Sequence, residues 1–437
     1  MTATWSPLAM EIGSELDFQR RESPYANYLP DELLLQVLDF LPRTEESQGT
    51  LWNFVLVSRQ WYSVGISRLY ASPFLVGLRY THFVRTLCPS IIPRIKRSEL
   101  AGLVKYLDLS RIVHQGTKST TARLLGRTKN NLELFVAPQA SFAINCWAAL
   151  SKCARLRVLD LGLVSEAISY QSLNQTLRQL GSLEKLYMPR CSTEFGYGPE
   201  FLTVRLHWPP SLRHLSMSGS VKGKFLWEML RQPETFPASL HSMALLHCPG
   251  LDQPGIKPLL VNLADRLTTV ELRDLPAVKQ GRFNNVLAWL PLLTTLTVAL
   301  DYIDEDFGRR PADFGAETHW PRARPLSSLT LLTCGTQTDP RRAFTLVDLW
   351  DLIDTRFLGR IRRLGVAASS GWERVDEGAL WETVRVGLEA LDEENWEGRR
   401  WHYEGLRGVP EGMGYEEWRG TRAGWRERPR AVILKNL

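Results

Sequence analysis

The chain has 437 residues, of which 44% are hydrophobic and 23% are charged. This content provides for a sizeable core and excludes a wholly disordered chain. The net charge is +6, and the six cysteines include no C-x-x-C pair, which argues against a zinc site and against a disulfide framework. No apolar run approaches the ~18 residues of a membrane helix, and no apolar signal-peptide core stands at the N-terminus. We therefore expect a soluble protein of the cytoplasm or the nucleus, without a membrane partner.

The N-terminal part of the chain predicts a flexible segment over residues 1–23 and a helical module over residues 24–76. Leu29-Pro30-Asp31-Glu32 begins a helix, because proline and acidic residues suit the first helical turn. The apolar residues that follow form one helical stripe at positions 33, 34, 37, 38 and 41. Such a short bundle has little core of its own, so we expect a partner or the rest of the chain to cover part of its apolar surface.

A second helix of this module is predicted after a polar stretch over residues 43–50. Ser58 can cap that helix, which then runs to Tyr70. The polar stretch is long, and it leaves the register of the second helix open.

The module resembles an F-box. The resemblance rests on Leu29-Pro30-x-Glu32-Leu33-Leu34, on Leu56-Val57-Ser58-Arg59-x-Trp61 and on Leu69-Tyr70, where the family commonly closes with Leu-Trp. F-box proteins are the substrate receptors of SCF ubiquitin ligases, in which the F-box binds a Skp-type adaptor that is itself bound to a cullin. The resemblance implies that the following residues pack in the module or against the adaptor, and it leaves open which do which: Leu29, Pro30, Leu33, Val37, Leu56, Val57 and Trp61.

Residues 77–369 contain an internal repeat. An apolar triplet at i, i+3 and i+5 occurs ten times, and the starting positions step by 24–29 residues in seven of nine cases. That spacing is typical of leucine-rich repeats, in which a short strand sends i+3 and i+5 into the core. The triplets are Val104/Leu107/Leu109, Leu132/Phe135/Ala137, Leu156/Leu159/Leu161, Leu183/Leu186/Met188, Leu212/Leu215/Met217, Leu240/Met243/Leu245, Leu267/Val270/Leu272, Leu293/Leu296/Val298, Leu326/Leu329/Leu331 and Ile361/Leu364/Val366.

Between the triplets the apolar period changes to i, i+4, i+7, as in Leu173/Leu177/Leu180 and Leu346/Trp350/Ile353, which predicts helices. The predicted fold class is therefore α/β: an N-terminal helical F-box followed by a leucine-rich-repeat solenoid, or horseshoe, with a C-terminal cap. The repeat also explains three cysteines, because the i+8 position, where the consensus buries a small residue, holds Cys191, Cys248 and Cys334.

The strand face of the solenoid is the predicted surface for a target protein, because its outward residues at i+2 and i+4 stack in rows across the repeats. Ser216 and Thr269 stand in these rows as well. The alternative is that these residues are simply solvated strand positions. The predicted target-binding residues are Lys185, Tyr187, Arg190, His214, Glu271, Arg273 and Arg363.

From about residue 370 the repeat pattern stops and tryptophans concentrate. Leu380, Val384, Leu388 and Leu391 share one helical face, so a helix can close the open end of the solenoid. Residues 370–437 are therefore predicted to form a tryptophan-rich cap, with target binding as the alternative role.

No sequence motif points to catalysis or to a cofactor. Gly116-Thr117-Lys118-Ser119-Thr120 lacks the second glycine and the adjacent Gly-Lys of a phosphate loop. The acidic run Asp392-Glu393-Glu394 is interpreted as a solvated helix face rather than a pair of catalytic carboxylates. Lysine and arginine are spread over many segments, so no nucleic-acid partner is expected.

Two hypotheses for function follow. The first is a non-catalytic SCF substrate receptor, which binds a Skp-type adaptor, and through it a cullin, and presents a target of unknown identity for ubiquitination and degradation. The second is a leucine-rich-repeat scaffold or inhibitor without a ligase role. Adaptor binding separates the two, because the scaffold hypothesis predicts none.

Overall fold

The computed structural model describes residues 29–42, 44–89, 98–112, 117–164, 170–190, 206–219, 221, 223–230, 236–309, 324–336, 338–372, 378–402 and 412–435. The chain forms two compact units that divide between Phe74 and Leu75. The predicted flexible segment over residues 1–23 and the start of the predicted module lie outside the described residues.

The described residues of the first unit form a bundle of three helices: α1 (Asp31–Asp39), α2 (Glu45–Val55) and α3 (Arg59–Ala71). The predicted Ser58 cap is confirmed, since its hydroxyl accepts a hydrogen bond from the Trp61 backbone N–H at 3.2 Å. A small core holds the three helices together and consists of Leu34, Leu38, Phe54, Val55, Val64 and Leu69.

The polar stretch over residues 43–50 is mostly helical and forms the first half of α2. Thr44 caps this helix by accepting the Ser47 backbone N–H, and Glu45 and Glu46 lie in its first turn, where negative charge is favoured. α2 and α3 pack so closely at Gly65 that a Cβ on this residue would lie 2.7 Å from the Phe54 ring. The local capping signal, rather than apolar periodicity, marks where this helix begins.

The second unit contains a parallel sheet of eleven strands among the described residues, ordered β1 to β11 as in the sequence. Parallel neighbours require crossover connections, and helices occupy many of them. The strands are β1 (Tyr106–Asp108), β2 (Leu134–Val136), β3 (Val158–Asp160), β4 (Lys185–Tyr187), β5 (His214–Ser218), β6 (Ser242–Leu246), β7 (Thr269–Arg273), β8 (Thr295–Ala299), β9 (Ser328–Leu332), β10 (Arg363–Ala367) and β11 (Arg430–Leu434).

The repeat prediction is confirmed in full: all thirty residues of the ten triplets are buried, and the last two residues of each triplet belong to the strands or directly follow them. The helices of this unit are α4 (Leu78–Leu87), α5 (Lys118–Thr128), α6 (Ile144–Leu150), α7 (Tyr170–Leu177), α8 (Gly223–Leu230), α9 (Gln253–Asn262), α10 (Val286–Trp289), α11 (Leu346–Asp354), α12 (Gly378–Glu394), α13 (Trp396–His402), α14 (Tyr415–Gly420) and α15 (Arg422–Arg426). The apolar faces of these helices and the triplets together form the core.

The turn after β6 follows the consensus of the repeat, whereas Cys334, in the turn after β9, is only partly buried. Cys248 is fully buried, and its Sγ lies 3.3 Å from the Leu246 carbonyl oxygen; burial raises the pKa of this thiol to about 12, as suits a packing role. Cys191 lies outside the described residues. At Gly219 the backbone is left-handed, with φ 76°, and a Cβ would meet the Arg190 carbonyl oxygen at 1.7 Å, so this turn requires glycine.

The sheet continues one strand beyond the last predicted repeat. β11 pairs in parallel with β10, and Ala431 and Ile433 take the register positions opposite Leu364 and Val366. The triplet pattern does not reveal this strand, because the exposed Arg428 stands at position i and alanine stands at i+3. α12 confirms the predicted helical face, with Val384, Leu388 and Leu391 buried.

Candidate protein-binding surfaces

The helical unit leaves much of its apolar surface exposed. On α1, Leu34 and Leu38 enter the core, whereas Leu33 and Val37 lie about 100° around the helix and face outward. The predicted single stripe of α1 therefore divides into a buried face and an exposed face. Val37 is 55% exposed, and Phe40, one turn further on, is 87% exposed.

The seven predicted adaptor residues fall into two groups. Pro30, Leu33, Val37, Leu56 and Val57 are exposed and available to a partner. Leu29 and Trp61 are partly buried against the core of the unit. The Trp61 ring packs against Phe54 with ring centroids 4.4 Å apart, so its first role is packing within the unit.

The sequence interpretation overlooked Phe40. This residue follows Leu33 at i+7 and Val37 at i+3, so the helical period already places it on the same exposed face. Leu56 and Val57 lie in the turn between α2 and α3 and add further exposed apolar area. We define the apolar face of the unit as Leu33, Val37, Phe40, Leu56 and Val57.

On the second unit, the outward residues of the strands form two rows, as predicted. One row places Lys185, His214, Ser242, Thr269, Thr295, Ser328, Arg363 and Arg430 in register, and the other places Tyr187, Ser216, Ala244, Glu271, Thr297, Thr330, Gly365 and Val432 in register. Ser216 was expected to face solvent but is buried, because its small side chain lies beside the larger Tyr187 on the next strand.

The predicted target-binding residues do not form one cluster. Lys185, Tyr187 and His214 lie together on β4 and β5, with the Tyr187 and His214 rings 5.0 Å apart. Arg190 is exposed just beyond β4. Arg363 stands five strands away from His214, roughly 24 Å across the sheet at ~4.8 Å per strand.

Glu271 and Arg273 form a separate pair on β7. Burial raises the pKa of Glu271, and Arg273 and His247 act in the opposite direction. The Asp274 carboxylate also lies 3.5 Å from the Arg273 guanidinium and 2.7 Å from His247 Nδ1, so these side chains form a small polar network on this part of the surface.

His214 is the most perturbed of these groups. Burial, followed by the neighbouring cation Lys185 and by His241, lowers its pKa to about 4. Its Nδ1 lies 2.7 Å from the Ser242 hydroxyl oxygen. At neutral pH this ring is therefore an uncharged hydrogen-bonding group rather than a cation.

Among the described residues, no helix combines the length and the apolar character that a membrane span requires. No group of three or more His, Cys, Asp or Glu side chains among them is placed to hold a metal ion.

Comparison with known proteins places the helical unit in a family. Residues 26–76 match the F-box-like domain family. F-box protein YDR306C from Saccharomyces cerevisiae is 28% identical over 288 residues, which cover 63% of this chain and 57% of that protein. Protein pof5 from Schizosaccharomyces pombe is 28% identical over 276 residues, which cover 63% of this chain and 74% of that protein.

Among solved structures, the leucine-rich repeat-containing protein LegL7 from Legionella pneumophila aligns with a TM-score of 0.38 and 16% identity, over 66% of this chain and 80% of that one. The repeat assignment here comes from the chain's own triplets and strand register. The chain thus combines an F-box-like helical unit over residues 26–76 with a sheet of repeated strands. Over 63% of its length it is similar to the F-box protein YDR306C and to pof5.

Proposed function

We propose that this protein is a substrate-recognition subunit of an SCF-type ubiquitin ligase. In this role the helical unit binds a Skp-type adaptor, and through it a cullin, while the outward rows of the sheet hold a target protein for ubiquitination and degradation. Under this proposal the protein acts in the cytoplasm or the nucleus.

The apolar face of the helical unit is the observation that carries the proposal. Soluble proteins seldom expose a group of large apolar side chains without a partner for it. Here Leu33, Val37 and Phe40 share one face of α1, and Leu56 and Val57 are exposed in the turn after α2, on a bundle whose core is only a handful of residues. The match of residues 26–76 to the F-box-like family supports a Skp-type adaptor as the partner that covers this face.

The proposed contribution of the chain to ubiquitin transfer is tethering. Holding the target and the loaded conjugating enzyme in one assembly raises their effective concentration without any catalytic group in the receptor. Under this proposal the protein is a non-catalytic subunit.

Adaptor capture tests the proposal. Val37→Glu places a charge in the apolar face and should weaken binding to purified Skp-type adaptor by at least about 2 kcal/mol, or roughly thirtyfold. Val347→Glu on α11 is the matched control, because Val347 has the same 55% exposure as Val37 but lies in the repeat unit. The measurement is an affinity titration with the full chain, with circular dichroism to verify folding.

The outcomes separate the two hypotheses. Selective loss with Val37→Glu supports the receptor role and the placement of the adaptor on this face. If wild-type protein does not bind the adaptor, the scaffold or inhibitor hypothesis takes its place. Equal binding by wild type, Val37→Glu and Leu56→Glu contradicts the assignment of the apolar face.

A further inference from the structure

A groove lies on the outward face of the last three strands. It encloses about 380 Å³ and is lined by β9, β10 and β11 together with residues 426–428. On β9 and β10 its floor is low, because the outward positions there hold the small residues Ser328, Thr330 and Gly365. On the β11 side it is bounded by Val432 and by Leu434, whose side chain lies 3.0 Å from the Cβ position of Gly365. We call this the basic groove, for the side chains described next.

Four exposed arginines line the basic groove: Arg363, Arg426, Arg428 and Arg430. Within the described part of the chain, none of the four guanidinium groups has a carboxylate partner, and only Arg430 makes a side-chain hydrogen bond, to the Arg426 carbonyl oxygen at 3.4 Å. The groove also contains one carboxylate, Glu427. The Glu427 carboxylate lies 3.7 Å from the Arg362 guanidinium, which also donates a hydrogen bond to the Glu427 carbonyl oxygen. The charge of Glu427 is therefore already paired with that of Arg362.

Two of these arginines stand directly opposite each other. Arg363 and Arg430 are register partners on the adjacent parallel strands β10 and β11. Like charges in opposed positions of a sheet destabilise it, and a local conflict of this kind is expected chiefly at functional sites. A bound anion would remove the conflict by pairing with both guanidinium groups.

We propose that the basic groove binds an acidic segment of a protein in extended conformation. Arginine forks recognise carboxylate and phosphate groups through paired charge-assisted hydrogen bonds. The low floor over Ser328 and Thr330 on β9 leaves room for a backbone to lie along the sheet. No aromatic side chain is among the described residues that line the groove, and single-stranded nucleic acid generally requires such stacking platforms.

The ligand chemistry is an array of side-chain anions, which glutamate, aspartate or phosphoserine could supply. The identification of this ligand as a segment of the target rests on the proposed function. The site itself is defined by the four arginines and by the small residues at the base of the basic groove. Arg363 was among the predicted target-binding residues, and the groove gives it three arginine neighbours that the repeat pattern did not reveal.

Fluorescence anisotropy with the purified full chain tests the proposal. The probes are a labelled peptide of alternating glutamate and alanine, the same peptide with glutamine in place of glutamate, a phosphoserine peptide of equal length and a labelled oligothymidine. We expect saturable binding of one or both acidic peptides and none of the glutamine peptide. The stronger of the two acidic probes identifies carboxylate or phosphate as the preferred anion.

Two double variants locate the binding. Arg363→Gln/Arg430→Gln removes the opposed pair from the sheet, and Arg426→Gln/Arg428→Gln removes the wall without touching a strand. Each should weaken acidic-peptide binding at least about tenfold, the scale of lost charge-assisted hydrogen bonds. The control is Arg213→Gln/Arg282→Gln, which removes the same charge from two exposed arginines outside the groove and should change binding less than about twofold.

Several results would overturn the proposal. These are the absence of saturable binding by either acidic peptide, an equal loss with the control variant, and tighter, groove-dependent binding of oligothymidine. Adaptor capture by the same variants keeps the two proposals apart. If adaptor capture persists while peptide binding fails, only the groove assignment falls; if peptide binding persists while adaptor capture fails, only the ligase role falls.

Discussion

The burial of Asp392 on α12 leads to a sharp prediction about stability. The sequence interpretation placed this residue on a solvated helix face with Glu393 and Glu394, and that interpretation is wrong for Asp392. Its carboxylate is 1% exposed and accepts hydrogen bonds from Arg362 at 2.9 Å, from Arg399 and from the Tyr415 hydroxyl at 3.2 Å. The contacts join α12 to α13, α14 and the residue before β10.

Asp392→Asn removes the negative charge and leaves Arg399, whose side chain is only 7% exposed, without compensation. Burial, followed by the neighbouring cation Arg362, lowers the pKa of Arg399, whereas Asp392 acts in the opposite direction. Breaking one side of a buried ion pair costs about 3–5 kcal/mol. Glu393→Gln at the adjacent exposed position should cost less than about 0.5 kcal/mol.

Hydrogen exchange followed by mass spectrometry measures the effect where it should occur. A loss of about 3 kcal/mol raises local opening more than a hundredfold, so amides in residues 412–435 should exchange much faster in Asp392→Asn. Amides of β1 to β3, far along the sheet, are the reference. Glu393→Gln should leave both regions as in wild type.

A double variant tests the physical reason. Asp392→Asn/Arg399→Met removes the uncompensated cation together with its partner, so it should recover part of the protection that Asp392→Asn loses. Equal exchange in Asp392→Asn and Glu393→Gln would refute the reasoning, because the buried network would then contribute nothing to local stability.

Two further predictions concern the strand face and the helical unit. Because the folded pKa of His214 lies near 4, below its ordinary value, the folded state resists protonation; wild type should lose up to about 3 kcal/mol as pH falls from 6.5 to 4. Denaturant titrations across that range should show this slope in wild type and not in His214→Gln; equal slopes would contradict it. Leu34→Ala should destabilise the helical unit by about 2–5 kcal/mol, whereas exposed Leu33→Ala should mainly weaken adaptor binding. Thermal melting and adaptor titration of the two variants check this, and an equal loss of stability would count against the division of α1 into two faces.

Much of the fold was predictable because its signals are local. Each triplet shows the strand period within six residues, and the regular spacing between triplets gives the repeat length. All thirty core positions could therefore be named from residue type and spacing. The cap at Ser58 was likewise visible in a few adjacent residues. The predicted second helix, capped by Ser58, is α3, and α2 escaped prediction as a helix because the residues of its first half are polar. α2 depends on the Thr44 cap and on tertiary contacts instead.

Site residues were harder to predict, because exposure depends on what packs against each face. Leu33 and Leu34 are neighbours of the same residue type, and only the packing of α2 and α3 decides that one is buried and the other exposed. A helical stripe shows that a face is apolar and does not show which part of it a small core can cover.

The sequence by itself determined that the chain carries an F-box-like helical module and a repeated strand with inward residues at fixed spacing. Only the tertiary structure decided where the charges of the C-terminal region lie. It buries Asp392 between Arg362 and Arg399, and it adds β11 beside β10, which brings Arg430 next to Arg363. Arg362 and Asp392 are 30 residues apart in the chain, Arg363 and Arg430 are 67 residues apart, and Asp392 and Arg399 are 7 residues apart. The two longer pairings follow from packing, so they leave no periodic signal in the sequence.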